Sequence, residues 1–519
     1  MRDGRIKNPA RTCFFVEVKL FMNDLKKLAC RLAGGIFLVV FCCSPVGAAT
    51  LAEKVREHTL ENGLKLLVVE RHGSPTFSAY ITIGVGSVDE TAETRGVAHL
   101  LEHMLFKGTK RLGTKDYAAE KPLLEKIAAV GAQIDELKVM PDADPEKLAM
   151  LRQRLAELQE QHKQYVVKDE FSRIYGENGG VGYNAFTSKD LTSYLISLPS
   201  NKLELWAAVE ADRMQNAVLR EFYTEREVIR EERRRSYDTR PAGKLYETLI
   251  ANAFTAHPYR NPIIGWDSDI DNLTLEETRD FLRRYYAPIN TVIALVGDVS
   301  FDQAVRVVEN SFGGISPGTK VPPVAVIEPE PAGNKRVDVE FDAEPQVSIA
   351  FHKPTLPERD DYVFDLIDQI LTGGRSSRLY RALVLEQQLA TSVSTYGAPG
   401  GRYPNLFVIS AVPRYPHTAK EVEVAIEAEL GKLGREPVTD EEMTRAVNRL
   451  RTDHLRQMRA NSGLARSLTY FQTVAGDWRY LAEYVQVMES ISADEIRDAV
   501  RRYLVDGKRT VAVLTKKEM

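Results

Sequence analysis

The chain has 519 residues, of which 44% are hydrophobic and 27% charged, with a formal net charge of −4. That length asks for two or more domains, and the mix excludes intrinsic disorder. Residues 1–48 hold 8 Lys and Arg against 3 Asp and Glu, so the remainder carries 61 against 70, an acidic balance that argues against nucleic-acid partners.

Residues 1–48 read as a secretion signal. Lys26, Lys27 and Arg31 precede a 12-residue apolar run, Leu32 to Cys43, and Ser44-Pro45 with Val46-Gly47-Ala48 follow as the cleavage region. The run is too short to span a bilayer. Export to the periplasm, with no stable membrane span after cleavage, is the expectation. Met22 is an alternative start to Met1. All four cysteines (Cys13, Cys30, Cys42 and Cys43) lie in the removed segment, so the mature chain is built without disulfides.

After the signal come alternating strands, "LKLLVVE" from Leu64 and "FSAYITIGV" from Phe77, and then "GVAHLLEHMLFKGT" at 96–109. On a helix His99 and His103 project from one face and can share an ion, and two neutral imidazoles suit Zn²⁺. Glu102 lies on the same side, placed to activate water there but not to add a third bond. Nine His in 519 residues give about 0.16 such pairs by chance, and requiring the acid lowers this to roughly 0.02.

Residues 121–170 are rich in Leu, Glu, Lys and Gln, broken by "PDADPE", and Leu148, Leu151, Leu155 and Leu158 keep a helical spacing. They predict a helical hairpin with Asp144 capping its second helix. A protruding hairpin outside the main fold, removable without unfolding, is expected. Next, "FYTEREVIREERRRSYD" from Phe222 puts Glu225 and Glu232 two turns apart on one face. Taken alone, such a charge-rich helix is most simply a solvated surface.

The chain then repeats itself. "TLEETRDFLRRYYAPINTVIALV" from Thr274 matches "SADEIRDAVRRYLVDGKRTVAVL" from Ser492 at an offset of 218, and "HMLFKG" from His103 matches "QILTGG" from Gln369 at an offset of 266. The 48-residue difference is accounted for by the hairpin insertion. Pro and Gly crowd a linker at 313–336. The organisation expected is α+β: two tandem homologous α/β-roll domains, 49–312 with the insertion and 337–519 without it. In the second domain Asp365, Asp368 and Gln369 stand where His99, Glu102 and His103 stand in the first, so one chain holds one site.

HxxEH followed by a helix of the form ERxVxxEE, together with "NAFTSKDLTSY" (184–194), "HPYRNPIIG" (257–265) and "GGRSSRLY" (373–380), resembles the pitrilysin/insulinase family of inverted-zincin metallopeptidases. The resemblance covers nearly all of the mature chain. It implies a clamshell of two rolls around a peptide, and zinc-dependent endopeptidase activity. It implies one zinc ion on His99, His103 and Glu232, Glu102 as general base, and Glu225 as an acid steadying the site. It also implies an edge strand whose backbone near Asn184, Ala185 and Phe186 binds the substrate. In one respect the chain departs from the family. Single-chain members carry an arginine and a tyrosine seven apart in the second half, where this chain has Val384 and Thr391. Some bacterial members divide the work between subunits, so a heterodimer with a homologous subunit carrying that pair is expected, with a homodimer as the alternative. The rival reading is a catalytically weak or silent scaffold, or a peptide-binding subunit, of the same family.

Overall fold

The computed structural model describes residues 51–516. The signal segment lies outside the described residues. Among the described residues eleven strands form two sheets. The first sheet is built from β1 (Val55–Thr59), β2 (Lys65–Glu70), β3 (Thr76–Ile83), β4 (Val181–Thr187), β5 (Thr192–Pro199) and β6 (Thr291–Gly297), in the order β1-β2-β6-β3-β5-β4. The second holds β7 (Lys335–Phe341), β8 (Gln346–Lys353), β9 (Ala390–Ala398), β10 (Asn405–Pro413) and β11 (Arg509–Lys516), in the order β7-β11-β8-β10-β9. Each sheet has one parallel pair, β2 with β6 and β7 with β11, and is otherwise antiparallel. Apart from β1, the two sheets share one topology.

Helices of eight residues or more are numbered in chain order. The first half has α1 (Val97–Met104), α2 (Tyr117–Lys138), α3 (Pro145–His162), α4 (Glu170–Glu177), α5 (Leu203–Asn216), α6 (Phe222–Arg233), α7 (Pro241–Ala253), α8 (Leu275–Tyr285) and α9 (Phe301–Phe312). The second has α10 (Arg359–Thr372), α11 (Ala419–Arg435), α12 (Asp440–Arg459), α13 (Asn461–Val474), α14 (Arg479–Glu489) and α15 (Ala493–Tyr503). No helix among the described residues is long and apolar enough to cross a membrane.

Each sheet is covered on both faces. Leu66 and Val68 of β2 face Leu100, Leu101, Trp206 and Phe281 of their own half. The alternate residues Leu67 and Val69 face Leu464, Ala465 and Leu468 of α13, which belongs to the other half. The second sheet mirrors this. Ile349 and Val513 pack on helices of their own half, whereas Val408, Ala512 and Leu514 pack on Leu245, Leu249 and Ile250 of α7. The halves thus exchange a helix, which is why every residue of β6 is buried.

The hairpin is α2 and α3. It starts at Tyr117, and Asp144 caps α3 by accepting from the Glu146 and Lys147 backbone. The expectation that it stands outside the main fold is corrected. Arg220, fully buried just before α6, holds both carboxylate oxygens of Glu120 at 2.7 and 2.9 Å, and His162 of α3 meets the same carboxylate at 2.7 Å. Arg226 donates to Asp135 at 2.9 Å. A Cβ on Gly131 would fall 1.9 Å from the Tyr223 ring. The hairpin is therefore docked on α6.

Candidate metal centre

α1 starts sharply. Gly96 has a φ of +89°, and a Cβ there would lie 2.7 Å from the Ile264 carbonyl. Glu90 accepts from the Gly96 and Ala98 amides, both at 2.9 Å, occupying donors that a helix N-terminus leaves free. Ala98, Leu101 and Met104 bury one side of α1, leaving His99, Glu102 and His103 on the side that faces α6 and β4.

His99 Nε2 lies 3.7 Å from Glu232 Oε1, and His103 Nε2 lies 3.4 Å from Glu232 Oε2. One ligand atom from each of the three residues can be chosen so that all lie within 4.8 Å of one another. Two ligand atoms each about 2.1 Å from a tetrahedral zinc stand roughly 3.4 Å apart, so these residues fit such an ion. Glu225 presents Oε2 to His103 Nδ1 at 3.5 Å and Oε1 to Lys107 Nζ at 2.5 Å. His103 is thus oriented by a carboxylate, the usual support for a metal-binding imidazole. His99 Nδ1 is buried without a hydrogen-bond partner among the described residues, so packing sets its orientation.

The electrostatics suit a cation. Burial, aided by the nearby His103 charge, lowers the His99 pKa to about 4, which keeps this imidazole neutral and able to ligate. Burial also works downward on His103, but Glu225 and Glu232 outweigh it and raise its pKa to about 9. An incoming metal therefore displaces a proton there. The hydrogen bond from His103 holds Glu232 below the usual carboxylate range. Burial pushes Glu102 upward, moderated by Thr187, whose hydroxyl donates to Glu102 Oε2 at 2.6 Å.

The substrate-binding candidates lie on β4, at the edge of the first sheet. Asn184, Ala185 and Phe186 pair with Leu195, Tyr194 and Ser193 of β5 on one side only. The Asn184 side chain is exposed, Ala185 is buried, and the Arg466 guanidinium of α13 sits 5.1 Å from the Phe186 ring centroid. Sequence reasoning missed Thr187 and Lys107. Both lie within stretches it had singled out, but nothing in a linear pattern shows that they touch Glu102 and Glu225.

The second half repeats the frame without the ligands. Asp365 accepts from Tyr484 at 2.7 Å, and burial raises its pKa to about 7. Asp368 accepts from Thr395 and from Gln369. At an offset of 217, Glu442 takes the place of Glu225, and Arg449 that of Glu232. Val384 is buried in the core of its half, and the Thr391 hydroxyl donates to the Val412 carbonyl at 3.3 Å. Neither is an Arg or Tyr stand-in.

A topologically duplicated α+β roll with a two-His, one-Glu cluster on its first copy is the architecture of a peptidase class. A family model described as "Insulinase (Peptidase family M16)" matches residues 65–163 and 163–267, and one described as "Peptidase M16 inactive domain" matches 272–450. The chain belongs to the M16, insulinase-type, peptidase family. It is similar to the zinc protease PqqE of Helicobacter pylori, with 25% identity over 485 residues covering 92% of this chain and 96% of that protein. The crystal structure of a protease from Helicobacter pylori superposes with a TM-score of 0.74 at 25% identity, covering 89% of this chain and 99% of that one. The fold also matches a "peptidase M16 inactive domain" structure from Pseudomonas fluorescens, with a TM-score of 0.70 at 17% identity, over 90% of this chain and 98% of that one.

Proposed function

We propose that this chain is a zinc-dependent endopeptidase that hydrolyses peptides or unfolded protein segments after export to the periplasm. The observation that carries the reading is the convergence of His99, His103 and Glu232 beside a glutamate, Glu102, held by Thr187. His99, His103 and Glu232 would hold one zinc ion. When bound, that ion supplies a Lewis acid that polarises the scissile carbonyl and makes water more acidic. Glu102 takes the proton of the attacking water and delivers it to the leaving amine. Glu225 keeps His103 aimed, with Lys107 balancing its charge. The outer edge of β4 takes an extended peptide as an added strand, using the backbone of Asn184, Ala185 and Phe186.

The oxyanion of the tetrahedral intermediate wants a preorganised donor, and Val384 and Thr391 supply none. We therefore assign the working enzyme as a heterodimer whose homologous partner brings an Arg and Tyr. The same absence favours one second reading, a peptide-binding subunit that cuts weakly by itself.

The test is Glu102→Gln. Metal content measured on the purified variant should equal that of the wild type, while peptide cleavage, assayed with a homologous partner present, falls about 100-fold or more. Wild-type cleavage by the variant would overturn the assigned role.

A further inference from the structure

The second half keeps a cavity where the first half has its metal centre, and there an arginine, Arg449, stands at the Glu232 position. The cavity, about 490 Å³, lies between the end of α10, the loop 373–377 and the outer face of α12. Gln369, in the His103 position, and Arg449, in the Glu232 position, both line it. Arg375 and Arg445 join them. The one acid in the lining, Glu442, is already committed to a bidentate pair with Arg378 at 2.7 and 2.8 Å. Arg375 and Arg449 are exposed and form no hydrogen bond or ion pair among the described residues. Arg445 is already paired with Glu441 and Arg449 acts on the nearby Asp368 carboxyl, which leaves Arg375 and Arg449 as the guanidinium groups open to a ligand.

The loop is shaped for this. Gly374 has a φ of +139°, a conformation that favours glycine, and Arg449 Nη1 lies 2.7 Å from where a Cβ on it would stand. A Cβ on Gly373 would meet Gln369 Oε1 at 2.6 Å. That oxygen is buried and accepts no hydrogen bond among the described residues. What the cavity offers a ligand is therefore its guanidinium groups. A peptide with acidic side chains answers them with its carboxylates, in keeping with a chain that binds peptides.

We propose that this cavity binds an acidic segment of a peptide, which sets a charge preference for what the chain holds. The proposal rests on the reading of the chain as peptide-binding but not on catalysis.

The test uses the full-length mature chain carrying Glu102→Gln, so that bound peptide stays intact. Fluorescence anisotropy is read with a labelled octapeptide of alternating Glu and Gly, and with its Gln–Gly counterpart, at low salt. The Glu peptide should bind at least about tenfold more tightly. Arg375→Gln with Arg449→Gln should abolish that preference and leave zinc content unchanged. Arg279→Gln with Arg283→Gln, which removes the same charge from a basic groove elsewhere, should retain it. The proposal is overturned if the first pair of substitutions keeps the preference, if both pairs lose it equally, or if tripolyphosphate binds in this cavity while the Glu peptide shows no preference. Because binding is read without turnover, a chain that never cleaves peptides still returns one of these results.

Discussion

Thr187 makes the hydrogen bond that aims the general base, and its hydroxyl favours the ionised form of Glu102. Thr187→Val should remove the hydroxyl's bond and keep the backbone one. Glu102 loses a bond that lowers its pKa, so the acidic limb of the pH–rate profile should move to higher pH, with about a tenfold rate loss at neutral pH and the metal retained. Thr187→Ser should restore the wild-type profile, and an unshifted limb in the valine variant would remove Thr187 from the machinery. At this scale the sequence is legible where chemistry is local. His99 and His103 share a face because one helical turn separates them, and Glu225 and Glu232 do so by two turns. Thr187 is 85 residues from Glu102, and only the placement of β4 against α1 joins them.

The hairpin of α2 and α3 was readable as helices from its leucine spacing and from Asp144. Its purpose was not, because the residues that dock it, Glu120 and Asp135, look like ordinary surface acids in a polar helix. Both are buried, against Arg220 just before α6 and Arg226 near its start. Burial alone would raise the Glu120 pKa, but His162 and Arg220 outweigh it and hold it at about 2, below its ordinary value of 4.5. A depressed carboxyl stabilises the fold above its unfolded pKa, and that stabilisation is lost as pH falls from 4.5 towards about 2. Urea midpoints of the wild type should therefore drop steeply through this window, and those of Glu120→Gln less so. At neutral pH Glu120→Gln should cost about 3–5 kcal/mol, the scale for breaking a buried pair. Equal slopes in acid for the two proteins would refute the linkage. By the same reasoning, deleting 122–168 should abolish cooperative unfolding and release α6, which carries Glu232.

Across the whole molecule, the repeat was visible at an offset of 218 because α8 and α15 keep matching charged faces and each leads into a buried strand, β6 or β11. The exchange of α7 and α13 was not visible. An amphipathic helix announces that it has an apolar side, not whose sheet that side will cover. The exchange has a measurable result. Residues 51–320 expressed alone should bind a hydrophobic dye and lack a cooperative transition, because Leu67, Val69 and Ala294 lose α13. Co-expression with 321–516 should restore a single transition, and a stable, dye-silent first half alone would contradict this.

Two of the four edge strands, β4 and β9, bear on a different matter. An outermost strand that welcomes a visiting backbone will also welcome the same strand of a neighbouring molecule, which is the route to fibrils. β4 is spoiled for that purpose. Its register with β5 breaks between Val181 and Asn184, around Gly182 at φ +70°. β9 has its own irregularity opposite Val412 and Pro413. On β4 only a short regular run, Asn184 to Thr187, is left in true register. That is long enough for a few residues of a guest held beside α1, and too short to template a copy of itself. Straightening Gly182 would extend the docking strip and, with it, the hazard of self-assembly.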